Sequence, residues 1–173
     1  MHEPVIRPMR EDEKPLLEAF LYLAIYQPPG ETPIPREVIF EPEIYVFIQD
    51  FGCGAQDDCL VAEIDGEVAG MVWVRRLSGR LKGKEVPRGY GNIDDETPEY
   101  AIAVRPQHRG KGVGTALLKA MAARLQEKGV RRASLSVHKG NPAIRLYQRM
   151  GFQAVETREE DILMVQKPGF ELA

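Results

Sequence analysis

Apolar positions along the chain change their period several times, and each change marks an element. Val5–Met9 predicts a short first strand. In Glu11–Tyr26 the residues Leu16, Leu17, Phe20, Leu21 and Leu23 fall close to a helical repeat, with Pro15 early enough to be tolerated. Gln27–Pro35 carries four prolines and reads as a loop. Arg36–Phe51 predicts a second helix, interrupted or started afresh at Pro42. Two strand-like runs, Cys59–Ile64 and Val68–Arg75, flank Asp65-Gly66, a hairpin turn whose two positions need positive φ. Ser78–Pro98 reads as a long exposed loop, basic first (Arg80, Lys82, Lys84, Arg88) and then acidic (Asp94, Asp95, Glu96).

The second half alternates strand and helix more regularly. Glu99–Val104 predicts a strand. Val113, Leu117, Met121 and Leu125 mark one face of a helix over Val113–Lys128, which Gly129 can close. Ala133–His138 is the next strand. Asn141 and Pro142 then suit the N-cap and first position of a short helix ending at Gly151. Phe152–Thr157 and Ile162–Gln166 predict a closing hairpin through Arg158–Asp161. The class is α/β or α+β with a mixed sheet, in one domain spanning residues 1–173.

Composition narrows the function. Hydrophobic residues make up 43% of the 173 and charged residues 28%, enough for a core and a solvated surface. A net charge of −3 argues against a general nucleic-acid binder. Cys53 and Cys59 lack Cys-x-x-Cys spacing and read as ordinary reduced residues. His2, His108 and His138 are scattered, so no metal site is expected. Met1-His2-Glu3-Pro4 lacks the apolar stretch of a signal peptide, and the run Ala19–Tyr26 is too short to span a bilayer. The expectation is a soluble cytoplasmic protein without a membrane partner.

The most informative segment is Gln107-His108-Arg109-Gly110-Lys111-Gly112-Val113-Gly114-Thr115, between a strand and a helix. A helix start leaves N–H groups unpaired, glycines let backbone approach a ligand, and Arg109 and Lys111 add positive charge. Together these make a phosphate cradle. A Walker A string is absent. A dinucleotide Gly-x-Gly-x-x-Gly fails at Thr115 or Leu117, depending on where it starts.

What remains, Arg109-x-x-Gly112-x-Gly114 after a strand and before an amphipathic helix, resembles the acyl-CoA pyrophosphate loop of the GCN5-related N-acetyltransferase (GNAT) superfamily. Asn141-Pro142-Ala143-Ile144-Arg145-Leu146-Tyr147-Gln148-Arg149-Met150-Gly151-Phe152 resembles its second signature. The resemblance is strong over Glu99–Phe152 and elsewhere follows element order only. It implies a mixed, mostly antiparallel sheet of about seven strands with flanking helices. Strands Glu99–Val104 and Ala133–His138 would splay, with pantetheine in the gap. Backbone groups of Ile102, Ala103 and Val104 would pair with its amides and polarise the thioester carbonyl. N–H groups of Gly110, Lys111, Gly112, Val113, Gly114 and Thr115 would hold the pyrophosphate, helped by the Arg109 and Lys111 side chains. Asn141 would contact pantetheine, which is compatible with its being an N-cap. Tyr147 would protonate the departing CoA thiolate, unless it is a core aromatic.

The implied reaction is direct attack of a primary amine on acetyl-CoA, without a metal. The base stays open among Glu99, Glu96, His138 and a bound water, and Glu99 reads equally well as a solvated strand end. A non-catalytic acyl-CoA-binding module on the same fold, or a plain interaction domain, are the rival readings. Asp94, Asp95 and Glu96 hint at a cationic acceptor. Small amines, amino acids, antibiotics, and a protein N-terminus or lysine all fit. The oligomeric state, a homodimer included, is left open.

Overall fold

The computed structural model describes residues 2–168. Strand β1 (Val5–Pro8) leads through a short 3₁₀ turn into α1 (Leu16–Ala24), and a second 3₁₀ segment, Arg36–Phe40, precedes α2 (Pro42–Tyr45). The expected second helix is thus broken at Pro42, whose ring and missing N–H suit a helix start and not an interior. Strands β2 (Asp58–Ile64) and β3 (Glu67–Arg75) form the hairpin about Asp65 and Gly66, at φ +52° and +79°. Strands β4 (Ser78–Leu81) and β5 (Lys84–Arg88) follow, then β6 (Glu99–Val104), α3 (Val113–Glu127), β7 (Ala133–His138), α4 (Ile144–Arg149), β8 (Gln153–Thr157) and β9 (Asp161–Gln166).

The main sheet runs β1-β2-β3-β6-β7-β9-β8, and β4 and β5 pair separately. All its neighbours are antiparallel except β6 and β7. A parallel pair needs a crossover, and α3 supplies it. The long loop expected over Ser78–Pro98 is corrected here: its first half is the β4–β5 hairpin, turned at Lys82 (φ +50°) and Gly83 (φ +76°). Its second half is not fully exposed either, since Gly89, Gly91, Thr97 and Pro98 are buried.

Each sheet face has its own core. Val72, Val74, Tyr100, Leu135 and Val137 meet Leu117, Leu118 and Met121 of α3 on one side. Val61, Met71, Trp73 and Ala103 meet Leu17, Phe20 and Leu21 of α1 on the other. Covering both faces explains why β2 and β3 read as unbroken apolar runs instead of alternating ones. Among the described residues no helix is long and apolar enough to cross a membrane.

Candidate active site

Strands β6 and β7 are joined in register at a single pair, Glu99 and Ser134, with the Ser134 N–H also donating to the Pro98 carbonyl at 3.0 Å. The other edge of β6 pairs with β3 all the way from Glu99 to Val104. Beyond Glu99 the β6 edge facing β7 therefore has no ladder partner. The sequence-predicted splay is present, and it opens toward the glycine turn.

At that open end Gly110 and Gly112 sit at φ +72° and +83°, and a Cβ on either would meet nothing within 4 Å. Gly112 is the left-handed residue at the N-cap of α3. The first paired helical N–H is that of Ala116, bonded to the Gly112 carbonyl at 3.0 Å. This leaves the N–H groups of Val113, Gly114 and Thr115 without intrahelical partners. Gly114 packs closely on α4: a Cβ there would lie 3.3 Å from the Leu146 side chain, which would have to shift slightly. Arg109 and Lys111 are exposed, but both fold back: Arg109 Nε donates to the Val104 carbonyl at 2.9 Å and Lys111 Nζ to that of Gln107 at 3.0 Å.

Asn141 accepts the Ala143 N–H on its side-chain oxygen at 2.9 Å. It caps a turn, and the helix itself starts at Ile144, two residues later than the sequence pattern suggests. Tyr147 is buried, edge-on to Phe152 with centroids 5.8 Å apart. Burial pushes its phenol up to about 12.

The closed end of β6 differs from expectation most. Glu99 is no solvated strand end: it is only 3% exposed. Its Oε2 accepts the Gly91 N–H at 2.9 Å, while Oε1 is buried without a partner. Desolvation pushes its carboxyl up to about 8, against the opposing pull of that hydrogen bond and of Arg158. Gly89 and Gly91 seal it in. A Cβ on Gly89 would stand 2.1 Å from Glu99 Oε1, and one on Gly91 would stand 2.8 Å from the Leu135 backbone. Ser134, its register partner, also has a buried hydroxyl without a partner.

Further along the same face of β7, the Ser136 hydroxyl donates to Asp161, which Arg158 also meets at 3.2 Å. Arg158 in turn donates to the Tyr90 carbonyl at 2.6 Å, tying the glycine loop to the β8–β9 turn. His138 stands at the exposed end of β7, its ring 5.2 Å from that of Tyr26. Glu96 is far more open, with 84% of its side chain exposed beside Arg76. In the acidic run of the loop Asp94 pairs with Arg132, Asp95 meets Arg88 only in an exposed contact, and Glu96 stays open. The Ser136–Asp161–Arg158 network had no local sequence signal. The Gly89-x-Gly91 pair did carry one, close backbone approach.

A sequence profile described as the acetyltransferase (GNAT) family matches residues 22–152. The chain is 38% identical over 98 residues to an N-alpha-acetyltransferase of Sulfurisphaera tokodaii, covering 56% of each protein. It is 38% identical over 65 residues to a ribosomal protein bS18-alanine N-acetyltransferase of Haemophilus influenzae, covering 38% of this chain and 44% of that one. It thus spans about half the length of these curated relatives. Among solved structures, the PaiA N-acetyltransferase of Thermoplasma acidophilum in complex with coenzyme A superposes with a TM-score of 0.64 at 17% identity, over 96% of this chain and 99% of that one.

Proposed function

The chain belongs to the acetyltransferase (GNAT) family, and from that premise we propose that it is a single-domain N-acetyltransferase using acetyl-CoA. The observation that carries the reading is the open cradle at Gly110–Thr115, facing the splayed end of β6. Two left-handed glycines present backbone with empty space above it, and three helical N–H groups have no partner within the helix. That arrangement fits a pyrophosphate. Arg109 and Lys111 would have to swing off the carbonyls they now contact to add their charge. The outward-facing backbone groups of Ile102 and Val104 would hold the pantetheine amides and donate to the thioester oxygen; those of Ala103, expected to share this role, face β3 instead, in alternation with Arg105, whose N–H meets the Ala69 carbonyl. Asn141 has its oxygen committed to Ala143, so its amide N–H groups are what it can offer.

The amine nitrogen attacks the thioester carbon, the C–S bond breaks, and the ammonium proton leaves. A phenol at about 12 holds its proton against a thiol of ordinary pKa near ~8.5. Tyr147 therefore stabilises the departing sulfur by donating a hydrogen bond, and solvent completes the protonation. Glu99 is sealed from direct contact with the amine, and the proton leaves to water at the open side of the site.

The acceptor we favour is a protein N-terminus. The relatives named for Nα and ribosomal-alanine acetylation support this choice. The test is isothermal titration with acetyl-CoA, followed by mass-detected acetylation of peptides carrying either a free α-amine or only a lysine. Acetyl-CoA binding with transfer to the α-amine is expected. Binding without transfer to any amine would make the chain a cofactor-binding module.

A further inference from the structure

At the far end of β3 from the glycine turn lies a cavity of about 280 Å³, walled by the Cys53–Asp57 loop and the β4–β5 hairpin. Gly70, near the start of β3, pairs with Val104, and Arg75 at its end lines the cavity. Five residue steps along the strand separate them, about 17 Å. The cavity is therefore no part of the acetyl-CoA cradle.

Its lining is basic in a chain whose net charge is −3: Arg75, Arg76, Arg80 and Lys82 face one carboxylate, Asp57. Arg75 is consumed by the fold. It is 1% exposed, pairs with Asp57 at 2.9 Å and donates to the Val46 and Gln49 carbonyls. Asp57 also accepts the N–H groups of Gly52 and Gly54, which stiffens the loop carrying Cys53. Arg76, Arg80 and Lys82 remain. Arg76 and Lys82 meet Glu96 and Asp50 only in loose, exposed pairs at 3.6 and 3.4 Å, which contribute little. Arg80 has one contact, the Gly83 carbonyl at 3.2 Å. Three weakly engaged cations around a concave wall focus positive potential into it. Gln56 adds a second demand: its Oε1 is buried without a partner and needs a donor.

We propose that this pocket binds a phosphate group. A phosphate near neutral pH supplies several acceptor oxygens for Arg76, Arg80 and Lys82, and a hydroxyl supplies the donor that Gln56 lacks: the ion's own P–OH, or, for a mostly dianionic monoester, a hydroxyl of the attached alcohol. The group is either free inorganic phosphate or part of a small phosphorylated molecule. This inference stands whether or not the chain transfers acetyl groups.

Cys53 is a built-in reporter. It is exposed at the cavity wall, whereas Cys59 is buried and its thiol pushed up by burial. Alkylation by neutral iodoacetamide, followed by intact mass at constant ionic strength, therefore reads Cys53 alone. Inorganic phosphate should slow the reaction saturably, by about tenfold at ten times its Kd. The double variant R80S/K82S, altered at two exposed hairpin positions, should keep its Tm and lose that protection. A monoester such as glucose 6-phosphate that protects at lower concentration than phosphate identifies a phosphorylated small molecule as the ligand; the reverse order identifies the free ion. Protection that is absent, or that survives in R80S/K82S, overturns the site. Sulfate has no hydroxyl at neutral pH, so equal protection by sulfate overturns the choice of phosphate.

Discussion

The two ends of β6 are built on opposite plans. At its C-terminal end the strand runs into glycines with open space around them, where backbone N–H groups face outward. At its N-terminal end Glu99 lies under two other glycines that leave no room for a Cβ. Glycine is used at one end to keep a site empty and at the other to close one. The open end needs only local backbone geometry. The closed end needs β6, β7 and the loop at residues 89–91 to converge, and it concentrates the unpartnered polar atoms Glu99 Oε1 and Ser134 Oγ.

The open end should break most completely under Gly112→Glu, which forces a side chain onto a left-handed backbone and puts a negative charge in the cradle. Acetyl-CoA binding by titration calorimetry should fall below detection while the circular dichroism spectrum persists. Retained affinity would move the cradle elsewhere.

The glycines themselves sharpen the contrast. Gly91→Ala places a methyl 2.8 Å from the Leu135 backbone, which cannot yield as a flexible side chain would. Urea denaturation should show a loss of about 3 kcal/mol, the upper range for overpacking. Gly110→Ala meets no atom and costs only left-handed strain, about 1 kcal/mol. Equal losses would remove the distinction between the two ends. Between them, Tyr147→Phe deletes a hydroxyl from a buried ring whose packing against Phe152 survives. Its kcat should drop about ten- to a hundredfold with acetyl-CoA affinity kept, as expected for one transition-state hydrogen bond. Unchanged turnover would make Tyr147 a core residue only.

How legible each end was in the sequence follows from the same difference. Arg109–Thr115 and Asn141–Phe152 are contiguous strings whose geometry is local, so a glycine turn opening a helix could be read from them, while the splay beside it came only with the family resemblance that the two strings carry. The order of elements followed from periodicity and from the Asp65-Gly66 turn. Glu99 looked like a strand terminus because nothing adjacent to it reports burial. Its lid comes from Gly89 and Gly91, and its neighbour Ser134 lies across a crossover. Asp161 reaches Ser136 only through the register of β7 with β9. The β4–β5 hairpin was hidden because Ser78–Arg88 has no alternating apolar residues and turns on Lys82-Gly83, not on Asn-Gly or Asp-Gly.

An effect of the same small order as that of Gly110→Ala tests burial at the closed end. Glu99 is raised from an ordinary carboxylate to about 8. Below pH ~4 the residue is protonated in folded and unfolded chains alike, so it makes no pH-dependent difference. As pH rises toward 8 the unfolded chain releases the proton while the folded chain keeps it. The folded state then binds more protons, and stability falls across that window; above it the loss is complete. Glu99→Gln removes the titration, keeps an acceptor for the Gly91 N–H and puts donor hydrogens where Oε1 has no partner. Its unfolding free energy should match the parent near pH 4.5 and exceed it by on the order of 1–2 kcal/mol near pH 8.5, the full burial penalty being softened by relaxation and water entry. Denaturant titrations at the two pH values read the difference directly. If the gap stays constant with pH, Glu99 ionises as an ordinary exposed carboxylate, and the lid of Gly89 and Gly91 is not closed in solution.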